Sequence, residues 1–134
     1  MNDRILTQEE AETVDRMKIV RYLNSDLARR IRNADKVWRE QGFIISMPAG
    51  EINPEWSSQT VEIMVHGVID CIFMENNSLV LVDFKTGRFS GISSEREQYL
   101  PQMKFYARAI ETYFGAAISE AFMYYFDNGI TVPW

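Results

Sequence analysis

Two adjacent asparagines, Asn76 and Asn77, divide two runs rich in β-branched and apolar residues, 60–74 and 79–86. Asparagine tolerates the left-handed backbone of a tight turn better than most side chains, so this pattern predicts a long antiparallel hairpin. No other feature constrains the chain as strongly, because the turn also fixes the register of everything paired behind it. A turn centred between the asparagines sets Asp70 directly opposite Asp83. Opposed residues hold their Cβ atoms ~4.5–5.5 Å apart on one face, where two carboxylates repel unless something cationic lies between them. Strand alternation carries Lys85 onto the same side, two residues beyond Asp83, and turns Cys71 the other way, into packing.

Two acids and an amine in that arrangement suit a hard divalent cation, Mg²⁺ or Mn²⁺, with coordination positions left for water and a phosphate oxygen. The amine can assist the water or stabilise developing negative charge, which is what metal-assisted phosphodiester hydrolysis requires. An ordinary ion-pair cluster on an exposed sheet face is the rival reading of the same spacing. His66 lies four residues from Asp70, roughly 13 Å along a strand, too far to share an ion unless Gly67 marks a bulge. It is read as a structural or rim residue.

Around the hairpin the periodicity changes twice. Thr7 and Glu10 form a capping box, and Ala11, Val14, Met17, Val20, Leu23, Leu27 and Ile31 follow at helical steps, with a break expected at Asn24–Asp26. This reads as a covering helical pair. Phe43, Ile44, Ile45 and Met47 make a short strand ending at Pro48, and 51–59 reads as loop. After a loop over 87–94, residues 100–114 are expected to be helical, with Pro101 in the first turn and Gly115 as the stop. Residues 117–126 return to strand, and Asp127-Asn128-Gly129 turns into a short last strand. The expected fold class is α/β with a mixed sheet: N-terminal helices, a central antiparallel hairpin, a helix and further strands. Residues 1–134 are expected to form one domain, with a helical part at 1–34 and the core at 35–134.

Composition bounds the rest. One cysteine excludes an internal disulfide, a Cys-rich zinc site and a four-thiolate iron–sulfur cluster. A formal net charge of -5 argues against a broad basic surface binding nucleic acid by itself. The longest uncharged apolar runs fall far below the ~20 residues a membrane helix needs, and no secretory signal follows Met1, so a soluble intracellular chain is expected. Phosphate-loop, dinucleotide and serine-hydrolase signatures are absent from the sequence. Trp38, Trp56 and Trp134 could stack on bases, but a core or edge role is the stronger expectation for each.

The segments Gly67-Val68-Ile69-Asp70, Leu81-Val82-Asp83-Phe84-Lys85-Thr86 and Gln102-Met103-Lys104-Phe105-Tyr106 together resemble the motifs of RecB-like nucleases in the PD-(D/E)XK superfamily. Trp38-Arg39-Glu40-Gln41-Gly42-Phe43 and Tyr124-Tyr125-Phe126-Asp127 extend the likeness to the C-terminal nuclease domain of AddA-type helicase/nucleases, from about Ile5 to Val132. The resemblance implies a restriction-endonuclease-like core, with Asp70, Asp83 and the backbone carbonyl of Phe84 as Mg²⁺ ligands and Lys85 as the catalytic lysine. It makes Gln102 and Tyr106 a pair bordering the active site, and Glu40 an acidic site residue at the first strand. The implied partners are single-stranded DNA, the helicase domains of a longer chain and a second nuclease/helicase subunit, in the bacterial cytoplasm near the nucleoid and away from membranes. The single cysteine fits the relatives that lack an iron–sulfur staple.

Two departures stand out. Members of the family carry an upstream histidine helix that also ligates the metal, and no such segment precedes Ile5; the expectation is a fragment of a longer helicase/nuclease. The third-strand motif carries Gly87 where an aspartate is common. A non-catalytic module that keeps the fold for DNA or subunit contacts is therefore the alternative to an active nuclease.

Overall fold

The computed structural model describes residues 7–57 and 60–134, excepting the side chains of 92, 93, 95 and 96. The start of the likeness at Ile5 and the last two positions of the expected 51–59 loop lie outside the described residues. Helices α1 (Gln8–Leu23) and α2 (Asp26–Arg32) precede strand β1 (Lys36–Pro48). The short helix α3 (Ala49–Ile52) and a 3₁₀ turn at Pro54–Trp56 follow. Then come β2 (Glu62–Glu75), β3 (Ser78–Lys85), α4 (Ile92–Phe114), β4 (Ile118–Tyr125) and β5 (Ile130–Pro133).

The five strands form one sheet in sequence order, β1-β2-β3-β4-β5. Every neighbouring pair is antiparallel except β3 and β4. That parallel step is where α4 intervenes, as a crossover must. Leu81 and its neighbours alternate between two cores: Leu79 and Leu81 pack with Met103, Tyr106, Ala109 and Ile110 of α4, while Val80 and Val82 pack with Leu27 and Ile31 of α2. The sheet is thus sandwiched between α4 and the N-terminal helices, and the mixed α/β class is the expected one.

The hairpin forms as its sequence dictates. Asn76 and Asn77 take φ of 52° and 63°, and the register runs from Glu75↔Ser78 to Cys71↔Val82. Cys71 is fully buried on the α2 side, opposite the face of Leu81. Thr7 caps α1, accepting from the Glu10 amide at 3.1 Å, and Ser25 caps α2 by accepting from Ala28.

Four expectations are corrected. β1 is thirteen residues long, not a short run at 43–47, because Lys36 already pairs with Met74; an edge strand wets one side and tolerates the charges of its first half. α4 begins at Ile92, so Pro101 stands inside the helix and not in its first turn. Burial of Met103, Ala109 and Ile110 outweighs the lost hydrogen bond there. The 51–59 segment is partly helical, through α3 and the 3₁₀ turn. The apolar stripe of α1 covers nothing: Met17, Val20 and Leu23 are 65%, 50% and 48% exposed. The helix is rotated so that Tyr22 meets Phe84 and Tyr124 edge-on at 5.3 and 5.0 Å. Arg21 donates to the carbonyls of Phe126 and Asp127, and Lys18 pairs with Asp127 at 3.0 Å. Polar anchors, not the stripe, orient α1.

Candidate active site

The register of the two ladders brings three acids into line. Arg39↔Cys71 and Gln41↔Ile69 bracket Glu40 and Asp70, and the β2–β3 ladder places Asp83 one step past its last pair, Cys71↔Val82. Neither of these steps is itself a paired one. Alternation is broken here as well. Ile69 and Ile72, three residues apart, both pack in the α4-side core, as do Trp38 and Phe43 on β1. Glu40 absorbs the irregularity with a φ of 49°, a left-handed conformation unusual for a glutamate. Arg39, Glu40, Asp70 and Phe84 line an open cleft of about 490 Å³ at this break.

Asp70 accepts the backbone amide of Phe84 at 2.8 Å. Asp83 is the one charged residue among the buried described ones, at 3% exposure. Burial pushes its carboxyl up to about 6, Lys85 opposes that rise, and the neighbouring Asp70 adds to it. Lys85 Nζ stands 2.6 Å from Asp83 Oδ2. This is a charge contact and not an aligned hydrogen bond, since Oδ2 is buried and accepts none.

From Lys85 a directed chain runs into α4. Its ammonium donates to Gln102 Oε1 at 2.8 Å, Gln102 Nε2 donates to the Tyr106 hydroxyl at 3.0 Å, and that hydroxyl donates to the Val68 carbonyl at 3.1 Å. The amide has one useful orientation here, because only with Oε1 toward the ammonium can both of its bonds form. Burial, then the charges of Asp83 and Asp70, push the Tyr106 phenol up to about 12, so it serves as a neutral donor. Its ring stands edge-on to Phe43 at 5.8 Å.

The structure therefore gathers Asp70, Asp83, Lys85, Gln102 and Tyr106. Glu40 reaches the same cleft from an exposed position on β1. His66 is apart: it pairs with Ile44 in an unbroken stretch of ladder and lines a separate hollow with Gly42 and Tyr113. Gly67 is no bulge. Trp38 stands edge-on to Phe114 at 4.8 Å and Trp134 packs against the core, while Trp56 is 38% exposed. One residue escaped the sequence reading. The ring of Tyr99 lies beneath Lys85 Nζ at 3.8 Å from its centroid. Its signal was the helical spacing of Tyr99, Gln102 and Tyr106, three and four apart on one face.

Among the described residues no group of three or more His, Cys, Asp or Glu side chains converges as a metal cage. Asp70 and Asp83 nonetheless fit a hard divalent cation. Their oxygens are the right donor type, and the buried Asp83 Oδ2, without an aligned donor, is the kind of atom a cation satisfies. The remaining positions would fall to backbone carbonyl, water and phosphate oxygens.

A five-stranded mixed sheet with acids and a lysine at the parting of its central hairpin defines a nuclease-type α/β fold. The model of the PD-(D/E)XK nuclease superfamily matches residues 2–131, and the chain belongs to that superfamily. Among similar proteins is the A-type subunit of the ATP-dependent helicase/nuclease of Clostridium kluyveri, 32% identical over 126 residues, covering 92% of this chain and 10% of that one. The protein of the same name from Geobacillus thermodenitrificans is 36% identical over 134 residues, covering 92% and 11%. That from Bacillus cereus strain Q1 is 34% identical over 142 residues, covering 98% and 11%. The chain spans about a tenth of the length of these curated relatives. No described helix is long and apolar enough to cross a membrane.

Proposed function

We propose that this chain is a metal-dependent deoxyribonuclease domain, residues 1–134 acting as one unit, that hydrolyses phosphodiester bonds of unwound single-stranded DNA. The observation that carries the reading is the continuous arrangement from Asp70 and Asp83 through Lys85 to Gln102 and Tyr106. Asp70, Asp83 and the carbonyl of Phe84 would hold Mg²⁺, with Mn²⁺ as an alternative. The bound ion supplies Lewis acidity, lowering the pKa of a water and neutralising charge on the phosphate. Lys85 is held where its ammonium can meet a phosphate oxygen or orient the attacking water. Gln102 fixes that ammonium, and Tyr106 fixes Gln102 against β2. Glu40 and Arg39 form the far lip of the cleft, where the strand would lie.

The name of the relatives supplies the wider context: helicase domains in the same polypeptide, a second nuclease/helicase subunit, and a role in bacterial DNA repair and recombination, in the nucleoid-bearing cytoplasm. A net charge of -5 agrees with a nuclease to which neighbouring domains deliver the strand. The reading includes no iron–sulfur cluster and no membrane.

Degradation of end-labelled single-stranded DNA with Mg²⁺ or Mn²⁺, beside Asp83→Ala and Lys85→Ala, tests the proposal. Cutting by the parent chain and loss in both variants is the expected result. A rival reading, a non-catalytic DNA-contact module, draws on the acidic set being only two converging side chains deep. Strand binding without cutting in either metal would favour it and overturn the nuclease reading.

A further inference from the structure

We propose that Tyr99 is a positioning residue for Lys85, its ring forming the third wall of the seat in which the ammonium is held. The inference deepens the nuclease reading, since it rests on Lys85 as the catalytic amine. An ammonium has three N–H groups and no acceptor, on a flexible four-carbon stem that loses rotamer freedom when fixed. Here two directions go to oxygens, Asp83 Oδ2 at 2.6 Å and Gln102 Oε1 at 2.8 Å. The third faces the ring of Tyr99, with Nζ 3.8 Å from its centroid, a close cation–π approach.

The ring is itself held from behind. Tyr99 packs against the cluster of Met123, Tyr125 and Val132, beside Phe89, whose ring lies 5.4 Å from that of Tyr125. β4 and β5, which supply none of the polar groups of the site, thereby fix its lysine. A ring face suits this place better than a third oxygen. It attracts the cation through its quadrupole and excludes water, yet offers no lone pair strong enough to compete with a phosphate oxygen. Lys85 is aimed without being trapped.

The role belongs to the ring and not to the hydroxyl, so Tyr99→Phe and Tyr99→Leu separate the two. In the parent chain and in Tyr99→Phe, the ε-methylene protons of Lys85 are expected upfield in NMR spectra, shifted by the ring current. In Tyr99→Leu they move to the position of an ordinary lysine. With Mg²⁺ and single-stranded DNA, Tyr99→Leu is expected to lower kcat about tenfold with KM little changed, and Tyr99→Phe to retain the parent rate. Equal ε-proton shifts in the parent and Tyr99→Leu would overturn the proposal, as would a rate lost equally in both variants. The NMR readout needs no cleavage. Ring-shifted protons in a chain that binds DNA and cuts none would uphold the seat and sink the nuclease reading alone.

Discussion

Asp70 accepts the backbone amide of Phe84 across the hairpin at 2.8 Å, one step beyond the last paired residues, Cys71 and Val82. A side chain thus continues the contact where the ladder has stopped, and it leaves Asp83 in the gap with a carboxyl pushed up to about 6 from the usual 3.8, chiefly by burial. Between those values the folded chain binds a proton that the unfolded chain has released. Metal-free stability is therefore full below about pH 4 and falls as pH rises through 6. Urea unfolding in EDTA across that range should show the decline in the parent chain and a flatter profile in Asp83→Asn. Parallel profiles would contradict this origin of the pH dependence.

The hydroxyl of Tyr106 is the far anchor of the lysine's hydrogen-bond chain. Tyr106→Phe should cost about 1 kcal/mol by leaving the Val68 carbonyl short of a donor. Gln102→Leu should spare more of the stability yet slow cleavage about ten- to a hundredfold, because the ammonium loses its aim. Chemical unfolding and single-turnover cleavage separate the two effects. A Gln102→Leu chain with parental rates would place the glutamine outside the machinery.

Arg30 ties three elements together. It forks onto Glu75 at 3.1 and 2.8 Å, reaches Glu120 at 2.7 Å, and lies over the rings of Phe73 and Phe122. Arg30→Ala should lower stability by about 1–2 kcal/mol, and Arg30→Lys should recover little of it, since a point charge cannot reproduce the fork. Full recovery by lysine in thermal unfolding would show that charge alone suffices.

The turn itself can be tested. Asn77→Val forces a β-branched residue into φ of 63° and should cost about 1–2 kcal/mol, whereas Asn77→Gly should be neutral or slightly stabilising. Equal midpoints for the two variants in a denaturant titration would refute the strain argument.

What was legible in the sequence was local. The asparagine pair set a register, the register set Asp70 against Asp83, and parity carried Lys85 to the α4 face; each step needs only neighbours along the chain. The orientation of α1 was not legible. Amphipathicity shows which side of a helix is apolar, not whether anything covers it, and the anchor between Lys18 and Asp127 joins residues 109 apart. The positive φ of Glu40 gave no warning either, because glutamate does not advertise that conformation as glycine or asparagine would. The spacing of Tyr99 was visible, but only the packing of α4 against β3 and β4 reveals what its ring faces.

The polar contacts of the site all lie within one unbroken stretch, from Val68 to Tyr106, spanning separations of 14, 17, 4 and 38 residues. Loop-closure entropy grows slowly with such lengths, and contacts this short are the ones a chain makes early. The hairpin and the crossover helix can therefore assemble the site as a single folding unit, and amide protection should appear in β2, β3 and α4 before the outer strands and α1 close around them.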